Sequence, residues 1–255
     1  LKLEIRGTRI MKRVSSFIGF LLFSANSFAA MTIPKIDMSI GQTNSPNDLV
    51  TSLQVLIILT VLTLAPSIII MTTSFVRIIV VFHFIRQAIG LQSMPPNQII
   101  VGLSLILTFF IMKPTFTKIT ETGINPYLNR QINQEQFFKN LGDPLKEFMI
   151  KQTQEKDLEL FIKISKTPVP KSRTETSFWI VLPSFVLSEL TRGFEMGILI
   201  YIPFIIIDMI VATVLMSLGM MMLPPVMISM PFKLLLFVMV DGWSLIIESL
   251  VKSFN

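Results

Sequence analysis

Residues 203–225 read Pro-Phe-Ile-Ile-Ile-Asp-Met-Ile-Val-Ala-Thr-Val-Leu-Met-Ser-Leu-Gly-Met-Met-Met-Leu-Pro-Pro. Apart from Asp208, this run carries no charge, and prolines bound it at both ends. About 20 apolar residues, rising 1.5 Å each, suffice to cross a hydrocarbon layer of about 30 Å. A carboxylate inside such a run is expensive to desolvate, so Asp208 is expected to face protein or water rather than lipid. On a helix it shares a stripe with Ala212, Leu215 and Gly219, whose small members let a second helix approach closely. The far end of the run cannot continue as a straight helix. Gly219 precedes Met220, Met221 and Met222, and Pro224-Pro225 then removes two backbone donors. The expectation is a flexible, thioether-lined turn at the mouth of a helix.

Composition places the rest of the chain in the same class. Of 255 residues, 51% are apolar, and the mean hydropathy is +0.67, well above an ordinary soluble domain. Cysteine is absent and histidine occurs once, which removes disulfide frameworks, thiolate metal sites and cysteine nucleophiles. The net charge of +6 does not argue for nucleic acid. Lys2, Arg6, Arg9, Lys12 and Arg13, against the single acid Glu4, place most of it in the leader.

Residues 1–29 have the grammar of a secretory signal, here with an upstream extension before Met11. Met11-Lys12-Arg13 is followed by a short apolar core, Val14 to Phe23, and by Ser27-Phe28-Ala29. Cleavage between Ala29 and Ala30 would leave the new N-terminus outside the cytoplasm. Residues 30–48, with Pro34, Gly41 and Pro46, read as a linker. A first apolar pair of helices is expected over 49–112. Its first helix ends at Met71 and is kinked or divided at Pro66; its second runs from Ile99 to Met112. Between Arg77 and Pro95 there is no acid, which fits a cytoplasmic side. His83 has no second histidine and no nearby carboxylate in sequence, so a packed or interfacial role is favoured over proton relay.

Residues 113–177 differ in kind, with eleven basic and eight acidic residues and repeated prolines. They read as a small polar helical insert, outside the cytoplasm if the N-terminus is. Its main helix is expected over 144–164, with Asp143 as N-cap and Pro144 in the first turn. Residues 178–255 form a second apolar section. Here Phe178–Leu187 is expected to be interrupted by Ser188-Glu189-Leu190-Thr191-Arg192-Gly193, and a last helix to run from Phe232 to about Leu250. Glu189, Asp208, Lys233 and Asp241 are its embedded charges. Glu189 and Asp208 are each expected to meet a basic or polar group, with Lys233 and Arg192 as candidates. Taken alone, these residues describe an all-α membrane-associated protein. They leave open a conduit or a small ion or solute carrier using Asp208 as a midplane site. An intramembrane hydrolase finds no paired carboxylates, Ser/His arrangement or HExxH.

Several stretches together resemble the FliP/SctR family, the export-gate proteins of flagellar and injectisome type III secretion systems, its flagellar branch above all. They are Met71-Thr72-Thr73-Ser74-Phe75-Val76-Arg77, Arg86-Gln87-Ala88-Ile89-Gly90, Pro95-Pro96-Asn97-Gln98 and Lys146-Glu147-Phe148-Met149. Further along come Ser188-Glu189-Leu190, Ile202-Pro203-Phe204, Asp208, Gly219 to Met222, Pro231-Phe232-Lys233-Leu234 and Asp241-Gly242-Trp243. The order holds from about Leu49 to Phe254, with a departure at Gln154, where some relatives carry a basic residue. The resemblance implies broken helical hairpins that assemble as a ring or helical oligomer. Copies of the chain, five in number, would join FliQ and FliR homologues in the inner membrane, within the flagellar basal body. Exported flagellar proteins would pass through, without catalysis, cofactor or metal, and with no nucleic acid. It further implies that Met220, Met221 and Met222 form a gasket closing the pore, and that Glu189 and Lys233 lie at subunit contacts or near the gate. Methionine suits such a seal, because an unbranched, polarizable side chain repacks at low cost around varied cargo.

Overall fold

The computed structural model describes residues 46–91, 94–220 and 222–254. The signal-cleavage pair Ala29 and Ala30, and the middle methionine Met221, lie outside the described residues. Contacts divide the chain into Leu1–Val55 and Leu56–Asn255; the packing below belongs to the second unit. All regular structure among the described residues is helical.

The organising element is α2, Phe75–Ile89. Its residues Ile78, Val81, Phe82, Ile85, Ala88 and Ile89 are buried, the three-and-four spacing of a helix with a wide apolar face. That face packs into a cluster with Ile100, Leu107, Phe204, Phe237, Ile246 and Leu250. These come from α3 (Asn97–Ile119), α7 (Phe178–Ser217), α8 (Pro225–Met239) and α9 (Gly242–Lys252). A second, smaller cluster joins α5 (Gln134–Gln152) and α6 (Glu155–Ser165) to the first turns of α7 through Met149, Ile150, Leu158, Ile162, Val181 and Phe185. Before α2 comes α1, Pro46–Met71. A π-helical turn, Thr120–Ile124, links α3 to the short α4, Asn125–Leu128.

Helix α1 runs through Pro66 as one element, so the proline does not divide it. Five other sequence expectations change here. The second apolar helix does not end at Met112; α3 continues through Lys113 and Pro114 to Ile119. Helix α5 starts ten residues before Pro144, because Asn133 and Gln136 form a capping box at 2.8 and 3.2 Å. Two reciprocal side-chain bonds satisfy two helix-end donors, a stronger start signal than Asp143 ahead of a proline. Asp143 therefore caps nothing, and the 144–164 helix is split at Thr153-Gln154 into α5 and α6.

The fourth change is the largest. Ser188–Gly193 does not interrupt the apolar helix, and α7 is continuous over 40 residues with Pro183 and Pro203 inside. Proline removes one ladder bond, but it does not end a helix whose flanks are held by packing. Ser184, Phe185 and Phe204 are all buried beside these prolines. Finally, the last apolar stretch is two helices, α8 and α9, bent by 64°. The break is at Asp241, whose backbone is left-handed with φ 49.

Among the described residues, three helices are long and apolar enough to cross a membrane: Leu53–Met71, Asn97–Leu128 and Phe178–Ser217, or four if α8 and α9 count together. Their most apolar windows are buried within the chain to only 0%, 28% and 11%, so lipid or other protein must cover the remainder. At 1.5 Å per residue the 40 residues of α7 span about 60 Å, twice a hydrocarbon core. A simple spanning bundle cannot accommodate it at ordinary tilt.

Candidate functional site

Three features converge on α7: a methionine loop at its end, an ion pair in its second half, and a buried polar network in its first half. Helices α2 and α7 run in the same direction, Gly193 lying against Val80 and Gly197 against Phe84. Any Cβ at Gly197 would stand 2.4 Å from the Phe84 ring, so glycine is what permits this approach.

The end of α7 is a Schellman motif. Met220 N–H donates to Leu215 O at 3.0 Å and Gly219 N–H to Met216 O at 3.0 Å, while Gly219 takes φ 73. That left-handed residue satisfies the last carbonyls and ejects the chain from the helix axis. The next helix, α8, opens after Pro224 with Pro225 in its first turn. The loop between them is short and apolar yet exposed. Met220 is 45% exposed and Met222 98%, while Leu218 and Leu223 are exposed beside them.

Asp208 is half-buried and accepts from Lys233 Nζ at 2.6 Å; Ser229 Oγ donates to its other oxygen. Lys233 is buried and also donates to Ala88 O at 3.1 Å, at the C-terminal end of α2. One ammonium thus ties α8 to both α7 and α2. This is hard to reconcile with a solute carrier, because the carboxylate such a site would use is already neutralised.

Glu189 lies in the first half of α7, fully buried. Its partner is not Arg192 but Arg77 of α2, also fully buried. Arg77 Nε donates to Glu189 Oε2 at 3.1 Å, and its Nη2 donates to Oε1. Nη1 donates to both the carbonyl and the hydroxyl of Ser253 at 2.9 Å, and the guanidinium lies 3.7 Å from the Phe254 ring centroid. Arg192 donates instead to Gln152 Oε1 at 3.0 Å, and Gln152 returns its amide to Phe254 O at 2.9 Å. The planar five-donor fork of arginine is what allows one cation to serve these partners.

The network continues to the α5–α6 elbow. Ser188 Oγ donates to the buried Asp157 at 2.6 Å and accepts from Gln154 N–H at 2.9 Å. Ser188 and Arg192 thus face this elbow and Glu189 faces α2, so the polar side chains of this stretch are satisfied without a break in the helix. Gln152 and Asp157 are not singled out in the sequence, and Arg77 stands there only in an acid-free stretch and a family-like motif, with no partner assigned. The available signal was an arginine amid apolar residues of a helical pattern, together with few embedded acids to pair with it. Asp241 is exposed at the helix break. His83 is exposed, and its imidazole is held below its ordinary range, first by partial burial and then by Arg86.

Comparison with known proteins bears on all of these elements at once. A model of the FliP family matches residues 58–250. Flagellar biosynthetic protein FliP of Bacillus subtilis (strain 168) is 48% identical over 217 residues, 85% of this chain and 98% of that protein. The Caulobacter vibrioides protein of the same name is 48% identical over 227 residues, 89% of this chain and 85% of its own length. That of Aquifex aeolicus is 46% identical over 237 residues, 92% and 98% of the two chains.

Proposed function

The chain belongs to the FliP family, and on that premise we propose that it is a pore-forming export-gate subunit of the flagellar type III secretion apparatus, required for flagellar protein export and flagellum assembly. It is a non-enzymatic component of the inner membrane, within the basal body. Several copies, five by family resemblance, assemble with FliQ and FliR homologues around the path of unfolded cargo. The polar section of residues 113–177 lies outside the cytoplasm.

The observation that carries this reading is the exposed methionine loop held at the end of a helix too long for one crossing. A single chain leaves Met220 and Met222 exposed, while the Schellman stop and the prolines set where the chain leaves α7 and enters α8. Several such loops around one axis would meet as a constriction of thioethers, sealing by dispersion contact that yields to passing side chains. A flexible apolar constriction also excludes water and ions when idle. Glu189, Asp208 and Lys233 serve this role indirectly, by holding α7 and α8 at the angle that presents the loop and the neighbouring subunit surface.

The test is a deletion strain complemented with a triple alanine variant at Met220, Met221 and Met222. Wild type should restore motility and secretion of flagellar proteins. The variant should still form the assembly and export at least in part, while the membrane leaks small ions. Intact assemblies with no added leak would refute the gasket. Motility unaffected by the deletion itself would refute the export assignment.

A further inference from the structure

Two cavities adjoin one cation. The first, of about 230 Å³, is walled by Phe82, Ile100, Leu103 and Trp243, with Arg86 at its edge. The second, of about 510 Å³, is lined by His83, Gln87, Gly90 and Val226, and again by Arg86. Arg86 is the residue common to both. Its Nη1 donates to Asn97 Oδ1, which anchors the guanidinium beside the first turn of α3 and leaves its other donors available. Pro95 and Ile99, at that helix start, also line the apolar cavity. The positive end of the α3 dipole adds to the charge of Arg86. No acid lines either cavity among the described residues, and the sequence holds none between Asp48 and Glu121.

An apolar cavity of this size accepts hydrocarbon, while a cation with no internal anion accepts an acidic group. A ligand filling both must be amphiphilic and anionic. We propose that this is a binding site for one acidic phospholipid, an acyl chain entering between Phe82, Leu103 and Trp243 and the phosphate lying on Arg86, with Gln87 and His83 beside the headgroup. Free phosphate satisfies only the cation, and a zwitterionic lipid satisfies only the apolar cavity. Trp243 has the placement expected of an interfacial anchor, edge-on to Phe82 and Phe237 with its ring partly exposed.

The protein's two tryptophans make the proposal measurable. Trp179 lies at the start of α7, 79% exposed, and a Trp179→Phe variant leaves Trp243 as the sole emitter. The full chain in detergent is titrated with phosphatidylglycerol brominated along its acyl chains, and separately with phosphatidylcholine carrying the same chains. Quenching should half-saturate at about fivefold less phosphatidylglycerol, the preference that one cation near an anionic headgroup provides. Arg86→Gln should reduce that to the phosphatidylcholine value, while Arg86→Lys retains the preference and so excludes general unfolding as the cause. Excess inorganic phosphate should not displace the lipid. Equal quenching by both lipids in the parent, persistence of the preference in Arg86→Gln, or displacement by phosphate would each overturn the site. Quenching by neither lipid would show the cavity closed to acyl chains and overturn it too.

Discussion

Replacing Glu189 by alanine should be among the most damaging single changes in this protein. Glu189 and Arg77 are both inaccessible to solvent. Removal of the carboxylate leaves a guanidinium that cannot lose its proton, with only Ser253 and Gln152 as acceptors and the Phe254 face beneath it. Breaking a buried pair in this way costs about 3–5 kcal/mol, against a total stability of about 5–15 kcal/mol for a typical domain. Removing both charges, as Arg77→Met with Glu189→Leu, has a different balance. Gln152 keeps Arg192 and the Phe254 carbonyl as partners, and the Ser253 hydroxyl keeps Leu250 O. The Ser253 carbonyl is the one acceptor stranded, at about 1–3 kcal/mol. The double variant should therefore be more stable than Glu189→Ala by about 1–3 kcal/mol, since replacing a buried pair by apolar groups is often neutral. Denaturant unfolding of the detergent-solubilised chain, followed by tryptophan emission, measures both. A Glu189→Ala loss below about 1 kcal/mol, or a double variant no better than the single, would refute the argument that desolvated charge governs this site.

Other predictions rest on separate contacts. Gly197→Ala should separate α2 from α7, because its new Cβ would lie 2.4 Å from the Phe84 ring; thermal unfolding should show the loss, and adding Phe84→Leu should recover much of it. Asp208→Ala should destabilise more than Lys233→Met, since the lysine side chain is 2% exposed and the aspartate 25%, so the stranded aspartate can still reach water and Ser229. Equal effects in unfolding experiments would argue against that asymmetry. The triple alanine variant at residues 220–222 completes the set, with ion leak and assembly as its readouts.

Much of this protein is determined locally. An apolar run of sufficient length must be helical and must leave water, because no other arrangement satisfies its backbone in lipid. A glycine followed by apolar residues and paired prolines must stop a helix. Those rules made the all-helical class legible from the apolar runs along the chain, and the end of α7 legible from residues 203–225. Capping at Asn133 was equally local, and the spacing of Asn133 and Gln136 could have revealed it.

What the sequence could not decide is where the buried charges find partners. Glu189 and Arg77 are 112 positions apart, and Arg192, the nearer cation in sequence, donates to Gln152 instead. On α7 the two point to different neighbours, a fact of helix packing rather than of spacing. The same packing decides helix continuity. Ser188–Gly193 looks like an interruption because polar residues in an apolar run usually mark a loop. Here α2 and the α5–α6 elbow supply partners for Ser188, Glu189 and Arg192, so the ladder runs on through them. Local chemistry decides which groups must be hidden or satisfied; only the tertiary structure, by bringing distant side chains within hydrogen-bonding reach, decides with what.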